Sequence, residues 1–253
     1  MNQNKISAII LAAGRGNRLS PITDDKPKCL LEIKGKTILE RLLETLREYG
    51  INDISIVRGY KREMINFPGI KYYENINYKN NNILQSLFYA ESEMNNAFIF
   101  SYSDIIYKKS VLKKLFESRS DISLIVDTDW KKQYENRKQH PVSEAELVKV
   151  KNDQIIKIGK NMTSKDSHGE FIGLAKFSEK GAEILKKEYH RVLKEIKNRQ
   201  DQRFQNAICF EKAYLTDMIQ ELIDRGYSIS NIDIQRNWME IDTNEDLQKA
   251  ELN

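Results

Sequence analysis

The 253-residue sequence predicts an α/β fold: a mixed, mostly parallel sheet flanked by helices, with a smaller β-rich insertion. Three features predict it. Apolar runs of strand length alternate with segments of helical period. Those runs are hydrophobic on both faces, as strands buried between helix layers are. After Pro141 the alternation gives way to short, closely spaced strands.

The first run, Ile6–Leu11, is a buried strand that ends in small residues. "TILERLLETLREYG" (Thr37–Gly50) has apolar residues at helical spacing, with a threonine start and a glycine stop that match cap preferences. "ISIVRG", a short helix around Lys61–Asn66 and "IKYYEN" continue the alternation. A helix over Ile83–Met94 leads into "AFIFSYSD", ending on Asp104, and "ISLIVDTDW" repeats that pattern, ending on Asp127 and Asp129. "AELVKVKN", "QIIKIGK" and "GEFIGLAKFS" form the insertion, lying over the same sheet edge. Helices over Glu179–Asn198 and Glu211–Arg225, the strand "YSISNIDI" and a closing helix after Asp242 complete the chain. In such a Rossmann-like arrangement, ligands sit beyond the carboxyl ends of the strands.

Composition narrows the function. The chain is 40% hydrophobic, enough for a substantial core, and neither a repeat nor a low-complexity linker divides it. Lys+Arg 41 against Asp+Glu 37 leaves +4, spread along the chain, which argues for a small anionic ligand and against nucleic acid. Cys29 and Cys209 stand far apart and imply no disulfide framework. The apolar N-terminal run is too short to span a bilayer and has no cleavage pattern, so a cytoplasmic protein with no membrane partner is expected. His140, His168 and His190 have no zinc-ligand spacing. The oligomeric state is not legible, and a homo-oligomer stays open.

Chemistry concentrates in "LAAGRGNRLSPITDDKPKCLLEI" (Leu11–Ile33), where glycines and the cations Arg15, Arg18, Lys26 and Lys28 follow the first strand. A dinucleotide fingerprint fails because Leu19 stands where the third glycine belongs. A P-loop ending on Gly35-Lys36-Thr37 fails because residue 30 is leucine. What remains is a glycine loop for close backbone approach, with Arg18 and Lys28 fixed among the stiffening prolines Pro21 and Pro27. Arg15 and Lys26 taken singly read as solvated charges.

The whole string resembles the signature of the sugar-1-phosphate nucleotidyltransferase superfamily, which builds NDP-activated metabolites from an NTP and a phosphorylated acceptor. The resemblance implies attack of an acceptor phosphate or phosphonate oxygen on the α-phosphorus, with pyrophosphate released. Two unit charges at about 4 Å repel by about 1 kcal/mol even in water, so cations must cancel the meeting of two polyanions. A phosphate monoester is already largely ionised near neutrality, and a general base is not needed. By resemblance, Arg18 holds the β/γ-phosphates, while Lys28 contacts the α-phosphate or the incoming phosphate. Backbone groups of Leu11, Ala12, Ala13 and Gly14 contact the base, and Gly16 lets the loop fold over the triphosphate. Asp104 and Asp242 stand where the family keeps two metal aspartates, a hard oxygen set suited to Mg²⁺. Taken alone, Asp104 could start a turn, and Asp242-Thr243 could cap the final helix.

"NWMEIDTNEDLQKAEL" and "YKNNNILQSLFYA" resemble the cytidylyltransferase branch, which implies CTP, with Asn82 and Ser86 at the pyrimidine. Asn offers both a donor and an acceptor to cytosine, although "NNN" also reads as a polar helix start. One domain over 1–253 is expected, with 1–130 and 228–253 as nucleotide and metal core and 131–227 binding the acceptor. In and beside that segment, Asp127, Asp129, Trp130, Tyr134, Glu144 and Glu170 suit a cationic amine, and Arg137 suits a carboxylate. Each equally fits core packing or a solvated face. Lys160 falls where the superfamily keeps a lysine for the acceptor's phosphate. The chain is similar to phosphoglutamine-type cytidylyltransferases of capsular O-methyl phosphoramidate synthesis, which implies L-glutamine phosphate as acceptor and CDP-L-glutamine as product. Phosphocholine, 2-aminoethylphosphonate and sugar phosphates remain alternative acceptors, although "KIGKN" replaces the sugar-enzyme "EKP". A non-catalytic nucleotide sensor would be expected to lose one of Arg18, Lys28, Asp104 or Asp242, and all four are present.

Overall fold

The computed structural model describes residues 6–135, 137–160, 162–197 and 203–252. Its elements run β1 (Ser7–Ala12), the hairpin β2 (Glu32–Ile33) and β3 (Lys36–Thr37), α1 (Ile38–Glu48), β4 (Ile54–Arg58), β5 (Lys71–Glu74), α2 (Ile83–Phe88), β6 (Phe98–Tyr102) and β7 (Ile105–Tyr107). There follow α3 (Lys109–Glu117), β8 (Ile122–Asp127), α4 (Lys131–Tyr134), β9 (Leu147–Lys151), β10 (Gln154–Gly159), β11 (Gly169–Phe177) and α5 (Glu179–Ile196). The chain closes with α6 (Leu215–Asp224), β12 (Ser230–Ile234), β13 (Trp238–Glu240) and α7 (Asn244–Leu252).

Nine strands form one sheet in the order β5-β4-β1-β6-β11-β8-β12-β10-β9. β5, β4, β1 and β6 run parallel, as do β8 and β12. β1 contributes Ile9 and Leu11 to one core and Ala8, Ile10 and Ala12 to the other, so its hydrophobic run is buried on both faces. α1 starts as its sequence predicts: Thr37 Oγ1 accepts from the Glu40 amide at 3.1 Å, and Glu40 Oε2 accepts from the Thr37 amide at 2.7 Å.

Several expectations shift. "GEFIGLAKFS" is no part of an outlying insertion: as β11 it lies mid-sheet, antiparallel to β6 and β8, with all nine residues buried. Its reversed direction puts its amino end, Glu170, opposite the carboxyl end of β8 at Asp127. The helix expected over Ile83–Met94 breaks into α2 and a 3-10 turn at Glu91–Glu93, and the one around Lys61–Asn66 is a 3-10 turn, Arg62–Met64. α5 ends at Ile196, and Asn198 lies outside the described residues. The helix expected from Glu211 begins at Leu215, after a 3-10 turn at Phe210–Lys212. Among the described residues no helix is long and apolar enough to cross a membrane.

Candidate active site

A cavity of about 510 Å³ opens beyond the carboxyl ends of the parallel strands. The loop after β1 forms one wall. Gly16 lies in the left-handed region (φ 72°), and a Cβ there would meet the Lys28 Cβ at 2.8 Å, so the loop and the Lys28 stem pack closely only through glycine. Leu19, fully buried, anchors the turn that presents Arg18, and buried Cys29 does the same for Lys28. Burial pushes the Cys29 thiol up to about 12, so it is an inert packing residue.

Asp104 and Asp242 meet, although 138 positions separate them in the chain. The antiparallel pair β7–β13 sets Ile105 opposite Glu240, and the Ile241 amide donates to the Asp104 carbonyl at 2.9 Å. Both side chains converge on one ammonium: Lys28 Nζ lies 2.6 Å from Asp104 Oδ2 and 2.7 Å from Asp242 Oδ1. Asp242 Oδ2 takes Arg18 and the His140 Nδ1, the latter at 2.9 Å. Asp242 does not cap α7; Thr243 does, in a reciprocal pair with Asp246. Asp104 Oδ1 is buried without a hydrogen-bond partner among the described residues, a spare hard oxygen beside a second carboxylate. That donor set fits a divalent cation.

His140 and Glu240 escaped sequence reasoning. With Asp242 they place three potential metal-ligand atoms within 4.8 Å of one another. Burial, then Arg137 and Arg18, hold the imidazole down at about 3, so it stays neutral at physiological pH. Sequence spacing carried no sign of this, since His140 arrives on a loop clamped by Arg137 and by Glu245, whose carboxylate accepts from the Lys138 amide at 2.8 Å.

The opposite wall is acidic and aromatic. Glu170 Oε1 accepts from Tyr134 Oη at 2.6 Å, while Oε2 is buried with no hydrogen-bond partner among the described residues. Glu146 accepts from Thr216 at 2.7 Å and from Tyr102 at 3.0 Å. Gly173 (φ 82°) sits in a β11 bulge, where a side chain would collide with the Tyr102 ring. Lys160 Nζ lies 4.2 Å from the Tyr214 ring centre and 2.8 Å from Glu144 Oε2.

Burial raises the Glu170 carboxyl to about 8 from an ordinary 4.5. Between those values the unfolded chain is ionised and the folded chain still holds the proton, so stability falls as pH rises through that window. Glu170→Gln is expected to make that slope shallower, since buried Glu146, Asp217 and Glu240 share its sign, measured as urea midpoints at both ends of the window for the two proteins.

The structure thus gathers Leu11, Ala12, Gly14, Gly16, Arg18 and Lys28 at the cavity, with Asn82, Asp104 and Asp242. Tyr134, Lys160 and Glu170 line it too. Other candidates stand apart from the lining. Ala13 is buried, its carbonyl accepting from the Tyr60 amide at 3.0 Å, and Ser86 Oγ accepts from Asn75 at 2.8 Å behind the wall. Asn82 reaches the cavity with its amide engaged: Oδ1 caps α2 and Nδ2 donates to the Lys212 carbonyl. Asp127, fully buried, accepts from Trp238 Nε1 at 2.7 Å and from the Asp129 amide at 2.9 Å, which makes it a lock for the β8 turn. Asp129 pairs with Lys132, and Trp130 packs against Ala145 and Leu147. The Arg137 side chain is 4% exposed and held by Glu240 at 3.0 Å and Asp246 at 2.7 Å, so it is scaffold and not a free carboxylate receptor.

The chain is 33% identical over 255 residues to the CTP:phosphoglutamine cytidylyltransferase of Campylobacter jejuni, covering 96% of this chain and 98% of that protein. Among solved structures, CTP:phosphocholine cytidylyltransferase from Streptococcus pneumoniae superposes with TM-score 0.73 at 23% identity, covering 98% of both chains. The inositol-1-phosphate CTP transferase from T. maritima superposes with TM-score 0.72 at 24% identity, covering 97% of this chain and 94% of that one. These two support the mixed, helix-flanked sheet. Matched over residues 8–221 by the model of the MobA-like NTP transferase domain, the chain belongs to that family and is a nucleotidyltransferase.

Proposed function

We propose that this protein is a Mg²⁺-dependent cytidylyltransferase that transfers CMP from CTP to L-glutamine phosphate, giving CDP-L-glutamine and pyrophosphate. The observation that carries the chemistry is the convergence of Arg18, Lys28, Asp104 and Asp242 at one edge of the sheet. An acceptor phosphate oxygen bonds to the α-phosphorus as the bridging bond to the β-phosphate breaks. Lys28 neutralises the two phosphates that must approach, and Arg18 takes the charge that develops on the departing pyrophosphate. Asp104 and Asp242 would hold the divalent ion, which supplies charge neutralisation on the phosphate oxygens. Backbone groups of Leu11, Ala12 and Gly14 would face the nucleotide.

The choice of CTP and of the amino-acid acceptor rests on likeness to the Campylobacter jejuni protein over nearly the whole chain. The buried carboxyl groups of Glu170 and Glu146, held toward the neutral form by burial, would ionise against an ammonium head group beside Tyr134 and Tyr102. The commitment of Arg137 to Glu240 and Asp246 favours a second reading, an acceptor with a cationic ammonium head and no carboxylate, such as phosphocholine or 2-aminoethylphosphonate.

A pyrophosphatase-coupled phosphate-release assay, run as four NTPs against L-glutamine phosphate, phosphocholine, 2-aminoethylphosphonate and a hexose 1-phosphate, separates these. CTP with L-glutamine phosphate is expected to be fastest. Preference for the hexose 1-phosphate overturns the acceptor assignment.

A further inference from the structure

Three cations and three carboxylates form one continuous ionic chain across the mouth of the cavity. Asp104 and Asp242 share Lys28, and Asp242 also meets Arg18. Arg18 Nη2 then lies 3.3 Å from Glu144 Oε2, and that same oxygen accepts from Lys160 Nζ at 2.8 Å. Two of these carboxylates have work in the proposed reaction as metal ligands. Glu144 has none. Its single oxygen shared between a guanidinium and an ammonium is the arrangement a phosphate oxygen adopts between two such cations.

The surroundings let that carboxylate yield without loosening its neighbours. Glu144 ends a short 3-10 turn, Val142–Glu144, whose following residue Ala145 is buried with Trp130 and Leu147. The backbone is therefore fixed by packing, while the Glu144 side chain remains 34% exposed. Lys160 has a second partner that does not involve Glu144, the Tyr214 ring over which its ammonium lies. The hydrogen bond from Lys160 holds the Glu144 carboxyl below the ordinary range, so it is fully charged at neutral pH.

We propose that Glu144 is an internal competitor for phosphate: it occupies Arg18 and Lys160, yields them to the phosphates of incoming substrate, and reclaims Arg18 as pyrophosphate departs. This rests on the reading of Arg18 as a triphosphate-binding cation. Glu144 then weakens pyrophosphate binding and favours its release.

The test is calorimetric titration of the full chain with pyrophosphate in the absence of divalent ions. Partly exposed ion pairs contribute at most about 1 kcal/mol each, so Glu144→Gln is expected to bind pyrophosphate about three- to tenfold tighter than wild type, and Glu144→Ala similarly. Pyrophosphate should inhibit turnover of both variants at correspondingly lower concentration. Glu245→Ala, which removes the acceptor of the backbone amides of Lys138 and Gln139 and so releases the same loop, should leave pyrophosphate affinity unchanged. Unchanged affinity in the Glu144 variants overturns the proposal, as does equal tightening in Glu245→Ala, which would mean loop loosening. Either result alongside intact CTP turnover leaves the reaction assignment standing. Loss of both pyrophosphate binding and turnover in wild type sinks both.

Discussion

Lys28→Ala is expected to lower turnover by about 10²–10³-fold or more while the protein remains folded, because one preorganised charge aimed at a developing anion contributes that much. The side chain is 12% exposed, and its ammonium is the shared partner of Asp104 and Asp242, the carboxylates proposed to hold the metal. Removing it has two separable consequences. Two carboxylates are left facing each other, a cost that a bound divalent ion offsets. The approach of acceptor phosphate to the α-phosphate loses its neutralising charge, which the ion cannot replace at that position. A coupled pyrophosphate-release assay at saturating substrate reads the second effect, and a far-UV spectrum checks the fold. Arg15→Ala is the control: Arg15 is half exposed and paired with Asp24, and its loss should cost no more than about twofold, as is usual for a solvated surface pair. Turnover of Lys28→Ala within tenfold of wild type would remove Lys28 from the catalytic step.

The contrast between Lys28 and Arg137 marks what the sequence could and could not reveal. β1 and α1 were readable because their signals are local: an apolar run of strand length, and a threonine with a glutamate three residues on. The cationic loop was readable because its residues act within one short segment. Arg137, Asp127 and Trp130 carry the residue types of a ligand pocket, yet their partners come from Glu240, Asp246, Trp238 and Leu147, which lie beyond any local pattern. Long-range contacts likewise hid the rest of the site: β7 pairing with β13 brings Asp104 to Glu240 and Asp242, and His140 reaches those two on a loop held by Arg137 and Glu245. Alternation likewise predicted a sheet without predicting neighbours, so β11 was grouped with the short strands that precede it rather than placed between β6 and β8.

That β7–β13 pairing makes Asp242→Asn the sharpest probe of the metal assignment. Asparagine keeps the size of the side chain and leaves the Thr243–Asp246 cap of α7 untouched, so the fold should survive. What it removes is a full negative charge that faces Lys28, Arg18 and His140 from one position. A hard divalent cation depends on charged oxygen donors, and Asp104 alone supplies one carboxylate where two now converge. Mn²⁺ binding, followed by electron paramagnetic resonance in the presence of CTP, is expected to weaken by at least about 10–100-fold, the loss already typical of disturbing groups that merely support a metal ligand. Turnover should fall at least as far, whichever acceptor is used. The two readouts must move together: if Mn²⁺ affinity is retained while turnover collapses, Asp242 serves by holding Arg18 and Lys28 in place, and the ion binds elsewhere. If both are retained, the pairing of two distant carboxylates has no part in the chemistry, and the convergence at the sheet edge is structural.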